Sequence, residues 1–251
     1  MSEVKVALSQ GGGGSGFGTK RKLMASGMPG KRNKGVRRSP ALLRRKTSEI
    51  KTVDVASVAI EPVSGAATTT LLNGCVEGVD AVNRVGRRIN MKSISLRMGI
   101  TITEAPTTAN PTYIRYALVY DRQPNGAAPA YSDIFQNITL AGATSSDAFS
   151  FPNPTNFDRF TILRDGFRVF RPFNDGLVNQ PKQSLDNEQD AAEKWFVNLK
   201  GLEATYIAGA GAGTIADFRT GSLWFITTSN QTAANQPCQI VMSARLRFFD
   251  K

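Results

Sequence analysis

Between residues 92 and 103 the chain alternates strictly. Lys92, Ile94, Leu96, Met98, Ile100 and Ile102 fall on one side, with Ser93, Ser95, Arg97, Gly99, Thr101 and Thr103 on the other. A period of two puts successive side chains on opposite faces of an extended chain, so this segment is predicted to be a strand with one buried face. Segment 239–249 repeats the pattern, with Ile240, Met242, Ala244, Leu246 and Phe248 inward and Gln239, Ser243, Arg245 and Arg247 outward. Segment 222–228, SLWFITT, is almost wholly apolar and reads as a central strand. Further strands are predicted at 52–60, 113–121, 159–171, 195–200 and 202–208, and short helices at 130–137 and 186–194. Long connections at 61–90, 104–112, 122–158 and 172–194 favour an antiparallel sandwich over a small up-and-down barrel, whose connections are short.

Two stretches interrupt these patterns as turns. Asp121-Arg122-Gln123-Pro124-Asn125-Gly126 ends a strand, because Pro fixes φ and Asn-Gly tolerates positive φ. Gly209-Ala210-Gly211-Ala212-Gly213 is a flexible turn, since no βαβ unit surrounds it to make a nucleotide loop. Phe167, Phe170 and Phe173, with Val169, are expected to pack in the core, or otherwise against a neighbouring subunit. Arg159 and Arg164 are expected to pair with Asp158 and Asp165.

Residues 1–51 have no such periodicity. They hold 13 of the 31 Lys and Arg against two acids, Glu3 and Glu49, and so carry the whole net charge of +11. Residues 52–251 contain 18 basic and 18 acidic residues and sum to zero. The basic residues cluster as Lys20-Arg21-Lys22, as Lys31, Arg32 and Lys34, and as Arg37-Arg38 running on to Arg44-Arg45-Lys46. Sparse apolar residues, Pro29, Pro40 and many glycines leave too little burial to offset the entropy of ordering, so residues 1–51 are predicted to be a disordered arm. Residues 52–251 are predicted to be one domain. Clustered cations on a mobile chain neutralise phosphates and release counterions with little regard to base sequence. With Phe17 the only aromatic residue in the arm, base stacking is a minor contribution there. The first two basic clusters are also spaced like a bipartite nuclear-import signal, which implies a host import receptor as a partner.

The chain has no histidine. That excludes Ser-His-Asp and Cys-His catalysis, an HExxH zinc site and any imidazole base. Cys75 and Cys238 are too few for a disulfide framework or a structural zinc, so they are expected to be buried thiols, and no metal or other cofactor is expected. Asp186, Glu188 and Asp190 read as solvated or helix-starting carboxylates. No apolar run approaches the roughly 18–20 residues that span a bilayer, so no membrane partner is expected. An enzyme is not expected.

Several motifs, in order, resemble the capsid proteins of geminiviruses and related small circular single-stranded DNA viruses. They are Arg84-Val85-Gly86-Arg87-Arg88 leading into Met91-Lys92-Ser93-Ile94, then Val119 to Gly126, Asp133-Ile134-Phe135, Asp158 to Leu163, and the closing Arg245-Leu246-Arg247-Phe248-Phe249-Asp250. The resemblance covers most of 80–251. It implies a single eight-stranded jelly roll, a basic arm inside the particle and an inner surface that holds DNA. It implies a homo-oligomer, a T=1 icosahedral shell of about 60 copies, found in the virion and, during infection, in the host nucleus. The chain lacks the Cys and His residues of geminivirus coat proteins, so a zinc role is not carried over, and the resemblance is to the wider geminivirus-like group. Arg84, Arg87, Arg88 and Lys92, with Arg97, form the densest basic group of the neutral body. The first four are expected to join the arm in holding single-stranded DNA, with surface salt bridges to Asp and Glu elsewhere as the equal alternative for the group. RNA as cargo, and a non-capsid nucleic-acid-binding or chaperone module with a disordered basic tail, are the alternatives.

Overall fold

A computed structural model of the chain describes residues 49–64, 67–102, 112–136, 138–140, 143–145, 148–170, 191–231 and 238–251. The eleven basic residues singled out between Lys20 and Lys46, together with Phe173, Asp186, Glu188 and Asp190, lie outside the described residues.

The described chain runs β1 (Ile50–Ile60), β2 (Thr68–Leu71), β3 (Arg88–Ile102), β4 (Thr112–Asp121), α1 (Tyr131–Ile134), β5 (Ile138–Leu140), β6 (Ala143–Ser145), β7 (Phe160–Phe170), β8 (Ala191–Tyr206), β9 (Phe218–Thr220), β10 (Ser222–Ser229) and β11 (Cys238–Asp250). One sheet has the order β1-β11-β3-β8-β9 and a second β2-β10-β4-β7, while β5 and β6 form a separate hairpin. The pairings β1 with β11, β2 with β10, β3 with β8 and β4 with β7 are all antiparallel. They are the rungs of one long folded-back hairpin. Pairing of β11 with β3 and of β10 with β4 wraps that hairpin onto two sheets. This is the eight-stranded jelly roll, with β9 added at one edge.

Different environments on the two sheets explain the two hydrophobic patterns. Ile94, Leu96, Met98, Leu118, Phe225, Ile240, Met242 and Leu246 meet between the sheets in one core. A second cluster lies behind the four-stranded sheet, where Val119, Trp224 and Ile226 are covered by Tyr131, Ile134 and Phe135 of the segment that follows β4. Strands β4 and β10 are thus buried on both faces, and their middles, Tyr116 to Tyr120 and Leu223 to Ile226, read as continuous apolar runs. Strands β3 and β11 bury one face only and so alternate.

Five expectations change. Segments 195–200 and 202–208 are one strand, β8, carried through an irregularity at Lys200 and Gly201, whose φ angles are 51° and 80°. Opposite it, Lys92 is the extra residue in β3 against β11, where Arg247 pairs with Ser93 and Phe248 with Met91, while against β8 the surplus residues lie in β8 itself, between Asn198 and Leu202. That bulge reverses the alternation, so Ile89 and Met91 point into the core while Lys92 faces solvent instead of lying beside Ile94. The predicted helix at 130–137 is a single turn, and residues 191–194 open β8. Strand β2 falls in the expected loop 61–90; at four residues it is too short to show a period.

Candidate nucleic-acid interface

Two of the sequence motifs meet at one end of the five-stranded sheet. The Asp250 carboxylate accepts hydrogen bonds from the backbone N–H of Val85 at 2.6 Å and of Gly86 at 3.0 Å. Its Oδ2 also lies 3.3 Å from Nζ of Lys51, which donates in turn to the Asn83 carbonyl at 2.9 Å. The start of β1, where Ile50 lies opposite Phe249, is therefore pinned beside the start of β3.

Arg84 does not contribute to an interface. Its side chain is 0% exposed, donates to the carbonyls of Gly86 at 2.8 Å and of Ala210, lies 3.2 Å from the Glu77 carboxylate and stacks 4.1 Å from the Tyr206 ring centre. Its two terminal nitrogens join the 76–86 segment to the glycine-rich turn after β8, while its Nε is buried without a hydrogen-bond partner. This corrects the expectation that Arg84 contacts nucleic acid: no part of its guanidinium reaches the surface.

Arg87 and Arg88 are exposed, and their backbone carbonyls accept from the N–H groups of Tyr206 at 2.7 Å and Lys251 at 3.0 Å. These pairings draw together β3, β8 and β11. With Arg219 and Lys251 the two arginines line a cleft of about 730 Å³ floored by Thr205 to Ala208. Gly221 makes the approach of Arg219 possible. Its φ is 78°, and a β-carbon there would lie 2.1 Å from the Glu203 carbonyl oxygen, so only glycine lets β9 turn into β10 against β8. Glu203 is the acid beside the cleft. Lys251 bonds it and holds its carboxyl below the ordinary carboxylate range, with Arg88 at the 4.0 Å limit of an ion pair. Among the described residues Arg87 and Arg219 have no carboxylate at ion-pair distance. Arg219 and Lys251 carry no local sequence signal, and only the fold brings them to Arg87 and Arg88.

Lys92 stands apart on the solvent face of the sheet, its Nζ 5.7 Å from the Phe249 ring centre. Several other charged residues are structural. Arg159 makes a bidentate contact with buried Asp121, both bonds at 2.9 Å, in place of the expected Asp158. Arg115, at 3.0 and 2.6 Å, pairs with the Asp165 expected for Arg164, and the Arg164 guanidinium lies 4.6 Å from the Trp195 ring. Phe170 is buried as expected, but Phe167 and Val169 are exposed beside Phe149 and Phe151, with Phe149 and Phe167 ring centres 5.1 Å apart. No grouping of three or more His, Cys, Asp or Glu able to hold a metal occurs among the described residues. No helix there is long and apolar enough to cross a membrane.

No curated protein matches the chain. Among solved structures, Desmodium yellow mottle tymovirus aligns at 10% identity with a TM-score of 0.33, covering 80% of this chain and 87% of that one. The picornavirus capsid of an expanded equine rhinitis A virus particle aligns at 10% identity with a TM-score of 0.29, covering 96% and 88%. At those scores the fold assignment rests on the strand order itself. The family description that matches is the geminivirus coat protein/nuclear export factor BR1 family, over residues 18–234, which takes in most of the basic segment and every strand of the sandwich up to β10. The chain belongs to the geminivirus coat protein family.

Proposed function

We propose that this coat protein assembles into a closed icosahedral shell and packages single-stranded DNA through residues 1–51, acting as a basic arm separate from the jelly-roll body. The observation that carries the reading is the division of charge: +11 before residue 52 and none net after it, with β1 entering the sheet beside the cationic cleft of Arg87, Arg88, Arg219 and Lys251. A neutral body removes long-range repulsion between copies, while the arm and the cleft together present cations to phosphates. In a T=1 shell of about 60 copies the arms carry roughly 660 positive charges, enough to balance several hundred nucleotides at about one negative charge each.

Assembly draws on apolar surface left open by the sandwich. Phe149, Phe151, Phe167 and Val169 lie together at the β7 edge, and a phenylalanine buries on the order of 150–250 Å² when covered. Contiguous apolar area of that size marks a contact surface more often than a bare exterior. Entry into the host nucleus follows from Lys20-Arg21-Lys22 and Lys31-Arg32-Asn33-Lys34 acting as a bipartite import signal. Size-exclusion chromatography and negative-stain microscopy of the full-length chain test the reading. Closed megadalton shells are expected, and a monomer-sized species in every buffer that supports folding would overturn it.

A further inference from the structure

Among the described residues one face of the five-stranded sheet is uncovered, and the strand register arranges that face in rows. Arg247, Ser93 and Asn198 form one row across β11, β3 and β8; Arg245, Ser95 and Phe196 form the next; Ser243, Arg97 and Lys194 form the third. Residues paired in register share a face, so these side chains point the same way. The cations Arg97, Lys194, Arg245 and Arg247 are all exposed there. The acid in the middle row, Asp54, is engaged by Arg245 through bonds of 2.7 and 2.6 Å. Among the described residues no carboxylate lies at ion-pair distance from Arg97, Lys194 or Arg247.

Phe196 sits among them and is 62% exposed, although it occupies the middle of a strand in a well-packed sandwich. Its neighbours along and across the strands are small or hydrophilic, so its ring face is open. Strand spacing of about 4.8 Å and a rise of about 3.4 Å per residue put Lys194 and Arg97 within about 7–9 Å of it at the backbone, which their side chains span easily. An open aromatic ring ringed by cations on a flat sheet suits a nucleic-acid strand whose base stacks while its phosphates are neutralised.

We propose that this sheet face is a fixed single-stranded nucleic-acid site, with Phe196 stacking on a base and Arg97, Lys194 and Arg247 contacting the flanking phosphates. The assignment rests on the packaging function proposed above and adds base stacking, which the arm does not supply. The chemistry is shared by DNA and RNA, and an aromatic platform without hydrogen-bond readout accepts any base.

The test uses the full-length chain, labelled oligo(dT) and oligo(U) probes, and a base-free polyphosphate of matched charge. Phe196→Leu is expected to weaken oligonucleotide binding about 5- to 160-fold, the range for losing one stacked base. It should leave polyphosphate affinity and the slope of log K against log salt unchanged, and Phe196→Trp should restore oligonucleotide binding. Arg97→Gln with Lys194→Gln should lower the salt slope by about 1.4, or about 0.7 per phosphate contact on a single strand. Equal binding by oligo(dT) and oligo(U) assigns the site to either nucleic acid, and a preference for one identifies the source. Wild-type oligonucleotide affinity in Phe196→Leu, or an equal loss for polyphosphate, would overturn the stacking site while leaving arm-driven packaging intact. Salt-independent binding by the unaltered chain would overturn both.

Discussion

Replacing Arg84 by methionine is expected to destabilise the body without altering its affinity for nucleic acid. Methionine keeps the apolar stem near Tyr206 but strands two acceptors, the carbonyls of Gly86 and Ala210, that now receive the guanidinium. A buried acceptor left without a donor costs about 1–3 kcal/mol. Glu77 is not stranded, since its side chain is 44% exposed and regains water. Relief of the desolvated guanidinium offsets part of the loss, leaving a net cost of about 3 kcal/mol. At about 2–4 °C per kcal/mol for a domain of this size, the midpoint should fall by roughly 6–12 °C. Tryptophan fluorescence during heating reads the midpoint, and anisotropy of labelled oligo(dT) across a salt series reads binding. Arg87→Gln with Arg88→Gln should do the reverse: a change within about 0.5 kcal/mol for exposed side chains, and a salt slope lower by about 1.4. An unshifted midpoint in Arg84→Met, together with weakened oligonucleotide binding, would refute the assignment of Arg84 to structure.

Burial pushes the Cys75 thiol up to about 11 and the Cys238 thiol up to about 12; a thiol-specific chromogenic reagent at pH 8 should therefore label neither in the folded chain and both in denaturant, and fast native labelling would contradict the packing around them. The Arg245 guanidinium holds the Asp54 carboxyl below the ordinary carboxylate range. Since the folded value lies below the unfolded one, the pair's stabilisation is complete at neutral pH and is lost as pH falls through the lowered value, below about pH 4. A carboxyl NMR titration should show Asp54 rising to the usual range in Arg245→Gln, and no change would remove the pair from the account of that sheet face. Phe151→Asp with Phe167→Asp should leave the thermal midpoint nearly unaltered, because both rings are exposed, while cutting the shell fraction on size-exclusion chromatography several-fold. Full assembly in that variant would place the subunit contacts elsewhere.

The strands most legible in the sequence are those with one wet face or two dry ones. Strands β3 and β11 alternate because the back of their sheet is open, and β10 is buried throughout, with an unbroken apolar run from Leu223 to Ile226, because Tyr131, Ile134 and Phe135 close the back of its sheet. The bulge at Lys92 was not legible, since a single inserted residue leaves both flanking patterns intact and only the register against β11 reveals it. Lys200 and Gly201 mimic a turn between two strands for a related reason: a positive-φ pair bends β8 without ending it. At the candidate interface, charge density found Arg87 and Arg88 but also Arg84, because sequence counts a cation without knowing whether a carboxylate and two carbonyls have already engaged it. Arg219, Lys251 and the rows around Phe196 depend on strand order, which no local pattern encodes. Phe167 and Val169 were expected in the core because apolar residues usually lie there, yet they face out at the edge strand β7.

Packaging through the arm is tested most directly by comparing particles of the full-length chain with particles lacking residues 1–46, imaged by electron microscopy and scored by the ratio of absorbance at 260 and 280 nm. Intact shells with a ratio that drops to that of protein alone are the expected result. Shells with an undiminished nucleic-acid content would contradict it.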